Sequence, residues 1–204
     1  MVNNQSNITD QKEFLKNGCV TLLVGRPGMG KTTTALHLAR IVANSGYKVI
    51  YLSLEIGTTT LQKRMLAADK TPLPANLVIA DPIETPLKDD LGKINTTAEM
   101  LKWVDDICTK TDGLGLLVID YMQLFCSKPR IMATLKALAQ KYNCAVLALA
   151  QLGHQIPHMD KRPLLQEIDP VFTIDTDYII GLYRDSYYTS QNKNIYDDLE
   201  FLWL

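Results

Sequence analysis

One eight-residue stretch constrains this chain more than any other. Gly25-Arg26-Pro27-Gly28-Met29-Gly30-Lys31-Thr32, followed by Thr33, fits the pattern Gly-x-x-x-x-Gly-Lys-Ser/Thr. It lies between an apolar run, Cys19 to Val24, and a stretch of helical period, Thr32 to Ala43, that carries Ala35, Leu38, Ala39 and Val42 on one face. A strand that feeds a glycine loop and then a helix can wrap a phosphate. The glycines admit a close backbone approach that a Cβ would block, and the helix N-terminus adds N–H groups and partial positive charge. Lys31 then reaches the β- and γ-phosphates and Thr32 ligates Mg²⁺. A glycine-rich turn with a solvated lysine does not require three glycines, a Lys-Thr pair and this frame to coincide. Residues Gly25, Arg26, Pro27, Gly28, Met29, Gly30, Lys31, Thr32 and Thr33 are therefore the expected nucleotide-binding set, with ATP and Mg²⁺ as the expected cofactors.

The remaining pattern predicts an α/β protein with a mostly parallel sheet flanked by helices. Strands are expected at Cys19 to Val24, Val49 to Leu54, Leu77 to Ala80, Leu116 to Asp120, Cys144 to Ala150 and Tyr178 to Tyr183. Leu61, Met65 and Leu66 mark a second helix. Thr71 to Asn76 reads as a loop, and Gln151 to Pro170 as a segment whose Gly153, Pro157, Pro163 and Pro170 forbid regular structure. A length of 204 residues suits one core. The expected division is a polar N-terminal segment over 1–16, an ATPase domain over 17–188 and a tail over 189–204 packed on the core.

Charge limits the partners. Lys+Arg 21 against Asp+Glu 22 leaves a net charge of -1, so no global positive field holds a nucleic acid and any DNA contact must be local. The chain has no membrane-length apolar run and its first residues lack a signal-peptide apolar stretch, so the expected location is cytoplasmic. Cys19, Cys108, Cys126 and Cys144 lack the close pairing of a zinc site and read as buried reduced thiols. His37, His154 and His158 form no metal-binding pattern.

A phosphate loop of this kind needs a carboxylate beside Mg²⁺, and Gly115-Leu116-Leu117-Val118-Ile119-Asp120 supplies one at the end of an apolar strand. Asp120 is the metal candidate together with Thr32. Tyr121 follows it, where many such ATPases place the water-activating glutamate, so that group must come from elsewhere. Glu55, at the end of the strand after the phosphate-loop helix, is the natural choice. The alternative for Glu55 is a surface residue capping the next helix.

These residues carry a resemblance. Arg26-Pro27-Gly28-Met29-Gly30-Lys31-Thr32 is similar to the phosphate loop of the DnaB-type replicative hexameric DNA helicases, in their C-terminal RecA-like ATPase domain. Leu52-Ser53-Leu54-Glu55 with Arg64-Met65-Leu66-Ala67 resembles that family's Ser-Leu-Glu-Met block. Leu117-Val118-Ile119-Asp120-Tyr121-Met122-Gln123-Leu124 resembles its metal-site strand with the Asp-Tyr-x-Gln-Leu tail. Leu135 to Ala139 and Ala148-Leu149-Ala150-Gln151-Leu152 match the next helix and the sensor strand. Asp160-Lys161-Arg162-Pro163, Asp175-Thr176-Asp177 and Leu182-Tyr183-Arg184-Asp185 with Tyr187-Tyr188 complete the series. The resemblance spans about Gly18 to Tyr188 and implies a RecA-like P-loop NTPase. It implies Lys31, Glu55 and Gln151 as catalytic residues, Gln151 contacting the γ-phosphate region. It also implies a role in DNA replication, a homo-oligomer or ring, and a replicative helicase or other replication protein as partner.

The chain departs from the family at several points. The N-terminal domain and linker helix of the family are replaced by Met1 to Lys16. The connection through Cys126, Lys128, Pro129 and Arg130 is shorter, and Glu167-Ile168-Asp169-Pro170 stands where the family has Arg-Glu-Ser-Gly. The tail Asn194 to Leu204 has no Lys-x-Arg finger; Arg184 is either a substitute finger or a tyrosine-stacked structural residue. The shorter connection and the added acid predict weak single-stranded DNA binding, and the missing finger predicts lost transition-state stabilisation at a subunit boundary. Two readings follow: an ATP-hydrolysing DNA motor, or an ATP-binding paralogue that loads, binds or regulates a helicase without efficient unwinding. A P-loop small-molecule kinase is a third class, disfavoured by the order of the blocks.

Overall fold

The computed structural model describes residues 14–81, 97–124, 130–153, 161–189 and 198–204. Seven strands form one sheet in the order β3-β2-β4-β5-β1-β6-β7. They are β1 (Val20–Gly25), β2 (Lys48–Ser53), β3 (Leu77–Ala80), β4 (Leu114–Asp120), β5 (Ala145–Gln151), β6 (Tyr178–Arg184) and β7 (Leu199–Trp203). The first six pair in parallel, and β7 runs antiparallel along β6 with Leu182 opposite Phe201. The helices are α1 (Lys31–Asn44), α2 (Thr58–Asp69), α3 (Thr97–Thr109), α4 (Ile131–Lys141), α5 (Pro170–Thr173) and α6 (Asp185–Thr189). The fold is the expected RecA-like arrangement of a mostly parallel sheet with helices on both faces.

The central strands are apolar on both sides because helices cover both faces. On one face Leu23, Val49, Tyr51, Val118 and Leu147 pack with Ala35 and Leu38 of α1 and Leu61 and Met65 of α2. On the other, Leu22, Ile50, Leu117, Ile119 and Val146 pack with Val104 and Cys108 of α3 and Leu135 and Leu138 of α4. Adjacent residues of one strand thus serve opposite layers.

The six strands given bounds from sequence lie within two residues of them, and β7 is an added strand in the tail. Helix α3 is not among the elements expected from sequence; Leu101, Val104 and Cys108, at spacings of three and four, are the signal that marks it. The segment from Gln151 to Pro170 is more regular than expected. Gln151 still belongs to β5, Leu165–Glu167 forms a 3-10 turn, and Pro170 opens α5. Proline suits the first helical position, where its missing N–H has no partner to lose, and Asp169 caps the helix by accepting a 3.0 Å bond from the Val171 N–H.

Candidate functional site

The parallel topology brings the carboxyl ends of β1, β4 and β5 together. Gly25 ends β1 in register with Gln151 of β5, and Asp120 ends β4 in register with Ser53 of β2. Gly28 and Gly30 take positive φ values of 79° and 94°, which L side chains rarely adopt. A Cβ on Gly28 would also stand 2.5 Å from the Tyr187 ring. Helix α1 begins with Gly30 as a cap that offers no side chain, and its first turn holds no acid. The first N–H groups of α1 therefore have no side-chain cap and no acidic neighbour on their helix, the condition in which a helix end takes an anion.

Lys31 follows directly. Its ammonium donates to the main-chain carbonyls of Gly25 at 2.7 Å and Arg26 at 3.1 Å. Burial lowers its pKa from an ordinary 10.5 to about 8, against the charges of Asp120 and Glu55, which favour the protonated form. Thr32 lies near enough to the Asp120 carboxylate to favour its ionised form. Asp120 is only 3% exposed, and burial raises its pKa although Tyr51, Thr32, Lys31 and Arg64 all act to lower it. The Tyr51 hydroxyl, fully buried on β2, donates to Asp120 Oδ2 at 2.6 Å. Leu54 of the β2 end bonds the Asp120 carbonyl through its N–H at 2.7 Å, which holds the two strand ends side by side. Glu55 lies two residues past β2, exposed, close enough to Lys31 and Tyr121 for its charge to act on both. The Asp120–Tyr121 peptide bond is cis.

A hydroxyl and a carboxylate are the hard oxygen donors that Mg²⁺ accepts, usually with phosphate and water completing its shell. Among the described residues no group of three or more His, Cys, Asp or Glu side chains forms a metal site. The residues at hand therefore suit a magnesium–phosphate complex rather than a cation held by protein alone.

Not every residue of the expected set turns toward this space. Met29 is 1% exposed and packs in the core with Leu23 and Tyr51. The Arg26 guanidinium donates to the Gly153 carbonyl at 2.9 Å and to Glu167 at 2.5 Å, with both side chains largely buried. Glu167 in turn accepts from the Leu164 N–H at 2.8 Å. Glu167 and Asp169, whose added acid is expected to lower phosphate affinity, are engaged by an ion pair and a helix cap. Gln151 is held from behind: the Gln123 side-chain amide donates to its carbonyl at 2.8 Å and accepts from its N–H at 3.2 Å. No motif contains Tyr51, and none gives the partners of Gln123, Arg26 or Glu167, because each contact depends on strand register or joins residues more than 20 apart in the chain.

Tyrosines of β6 and α6 form a pile: Tyr183 stacks on Tyr188 at 6.0 Å and Tyr187 meets Tyr188 edge-on at 5.3 Å. The cations over these rings are Lys161 at 4.3 Å and Arg162 at 4.7 Å, not Arg184, which reaches Ser186 at 3.5 Å. Phe14 packs with Phe201 and Trp203 beside β7. Cys108 and Cys144 are buried free thiols, and burial raises them to about 12 and about 11; Cys19 is free but only partly buried. Cys126, His154, His158, Asp160, the 125–129 connection and most of residues 1–16 lie outside the described residues. No helix among the described residues is long and apolar enough to cross a membrane.

Comparison with known proteins agrees with this geometry. A family model described as AAA domain matches residues 11–156. The chain is 34% identical over 209 residues to replicative DNA helicase DnaB of Geobacillus stearothermophilus, covering 85% of this chain and 45% of that protein. It is 31% identical over 217 residues to replicative DNA helicase DnaC of Bacillus subtilis (strain 168), covering 89% and 47%. The chain thus spans under half the length of these curated relatives. One solved structure, itself an isolated ATPase domain, superposes with a TM-score of 0.67 at 25% identity, over 87% of this chain and 74% of that one. A DnaB-like replicative helicase, solved in a study of its interactions with primase, has the same fold, with a TM-score of 0.70 at 24% identity over 94% and 55%. With the phosphate loop, Asp120 and Gln151 gathered at one sheet edge, the chain belongs to the AAA domain family and is a RecA-like ATPase domain of the DnaB replicative helicase type.

Proposed function

We propose that the chain binds Mg·ATP and Mg·ADP and hydrolyses ATP as the nucleotide-dependent unit of a replicative helicase. The carrying observation is a buried lysine held on the loop's own carbonyls at an uncapped, acid-free helix start, with the buried Asp120 beside it. The main-chain N–H groups of Gly28 to Thr33 and the Lys31 ammonium hold the phosphates. Thr32 and Asp120 hold Mg²⁺. When bound, Mg²⁺ supplies charge neutralisation on the phosphate oxygens. Glu55, exposed at the rim and within electrostatic reach of Lys31, orients the attacking water, and Gln151 contacts the γ-phosphate region. Lys31 is bonded to main-chain carbonyls, so it exchanges those bonds for phosphate oxygens without breaking a hydrogen-bonded ion pair.

The domain reading is one unit over 17–188 with the 189–204 tail packed on the core, working in a homo-oligomeric ring with other replication proteins in the cytoplasm. The regulator reading is an outcome of the same test, because, of its acidic supports, Glu167 is held in a largely buried ion pair and Asp169 caps α5. The test is the ATPase rate alone and with single-stranded DNA. Turnover that rises with DNA supports the motor; nucleotide binding with negligible, DNA-independent turnover replaces it with the regulator; absence of nucleotide binding removes both.

A further inference from the structure

We propose that Tyr51 is a positioning residue for the metal-side carboxylate: it holds Asp120 in the orientation that faces the Thr32 hydroxyl and a divalent cation. This rests on the nucleotide-binding reading above and extends it to a residue that no motif contains.

The register of the sheet sets up the contact. Tyr51 on β2 pairs with Val118 on β4. Residues two apart on a strand share a face, so Asp120 stands on the same face as Val118, one step nearer the strand end. That is the face covered by α1 and α2, where Tyr51, Val118 and Leu116 pack. A side chain as long as tyrosine at this place carries its hydroxyl diagonally to Asp120 Oδ2, at 2.6 Å. The ring is 0% exposed, so no water competes for the bond.

The chemistry is specific to a phenol. An ionised carboxylate only accepts hydrogen bonds, so the phenol donates. It fixes the plane of the carboxylate and occupies Oδ2 without adding a positive charge. A lysine or arginine in its place would neutralise the carboxylate and take away its attraction for a cation. Thr32, on the loop side, lies near the same carboxylate. Asp120 is thus held from behind by a neutral donor, which leaves its other oxygen for the side of the other expected metal ligand. Partners of this kind, one bond behind a metal ligand, commonly set metal affinity by about 10-fold or more.

The test is calorimetric titration of ADP into the wild-type chain and Tyr51→Phe, each with excess Mg²⁺ and with EDTA. The affinity gain conferred by Mg²⁺ should shrink about 10-fold in Tyr51→Phe, while affinity in EDTA stays at the wild-type value. In an Asp120→Asn background the Tyr51→Phe change should add nothing. An undiminished Mg²⁺ gain overturns the assignment, and so does an equal loss with and without Mg²⁺, which is the signature of a packing role alone. Tyr51→Met serves if the phenylalanine variant does not fold; failure of both to fold makes the residue a requirement of the core and likewise overturns it. If the wild-type chain binds no ADP under either condition, the nucleotide reading itself has failed. If it binds ADP with no gain from Mg²⁺, the metal assignment of Asp120 fails and this inference with it.

Discussion

The phosphate loop presents two sets of side chains, and they are held in opposite ways. Lys31, on the ligand side, is bonded to main-chain carbonyls, and Thr32 lies near the buried Asp120. Arg26 and Met29, from the same eight residues, point into the fold, where Arg26 is paired with Glu167 and Met29 is sealed among apolar side chains. A cation bonded to neutral carbonyls keeps its charge for a ligand, whereas a cation in a buried ion pair has its charge satisfied. The first set therefore governs binding, and the second governs how firmly the loop is attached to the segments after β5.

The sharpest way to break this contrast is Lys31→Ala. Loss of two charge-assisted phosphate contacts at about 2 kcal/mol each weakens nucleotide binding by roughly 1000-fold, which abolishes it in calorimetry, and the fold should remain intact by circular dichroism. Unchanged affinity would mean that the loop does not hold the phosphates through this residue.

The two carboxylates at neighbouring strand ends sharpen the contrast within the ligand side. Glu55→Gln should lower turnover by about 100-fold, the usual scale for a group that handles the proton of an attacking water, and leave ATP affinity in place. Asp120→Asn should instead remove the Mg²⁺-dependent part of binding. Equal turnover in Glu55→Gln and wild type would take Glu55 out of the mechanism.

The attachment side is tested by stability rather than by ligand. Glu167→Ala leaves the Arg26 charge buried without its acidic partner and should cost roughly 3 kcal/mol, a fall in melting temperature on the order of 8 °C for a chain of this size. Nucleotide affinity of the folded variant should change far less than in Lys31→Ala. A melting temperature within a degree or so of wild type would show that the pair contributes little.

The smallest effect is with pH. Lys31 titrates near 8 in the folded chain against 10.5 in the unfolded one, because burial disfavours its charge. Between those values the unfolded chain binds more protons, so this group adds stability as pH rises from about 8 to about 10.5, and its cost is full below about 8. Phosphate binding needs the charged form, so ADP affinity should fall several-fold between about pH 7 and pH 9, with proton uptake on binding at the higher pH. Calorimetry in two buffers of different ionisation enthalpy measures both. Affinity that is flat across this range would place the titrating lysine outside the site.

The sequence by itself determined the alternation of strands and helices, the phosphate loop with its glycines, and Asp120 as a strand-end carboxylate. These are local: each depends on the period of apolar residues or on a backbone conformation that only glycine adopts readily. It also determined the family, because the blocks stand in a characteristic order. What only the tertiary structure decided was long-range. Strand order placed Gln151 beside Gly25 and Glu55 near Asp120, although 126 and 65 residues separate these pairs in the chain. Register made an apolar-strand tyrosine the donor for Asp120, and packing made Glu167 the partner of Arg26. A side chain's partner across a sheet follows from which strands neighbour one another and in what register. Helix and strand periodicity carries no record of either.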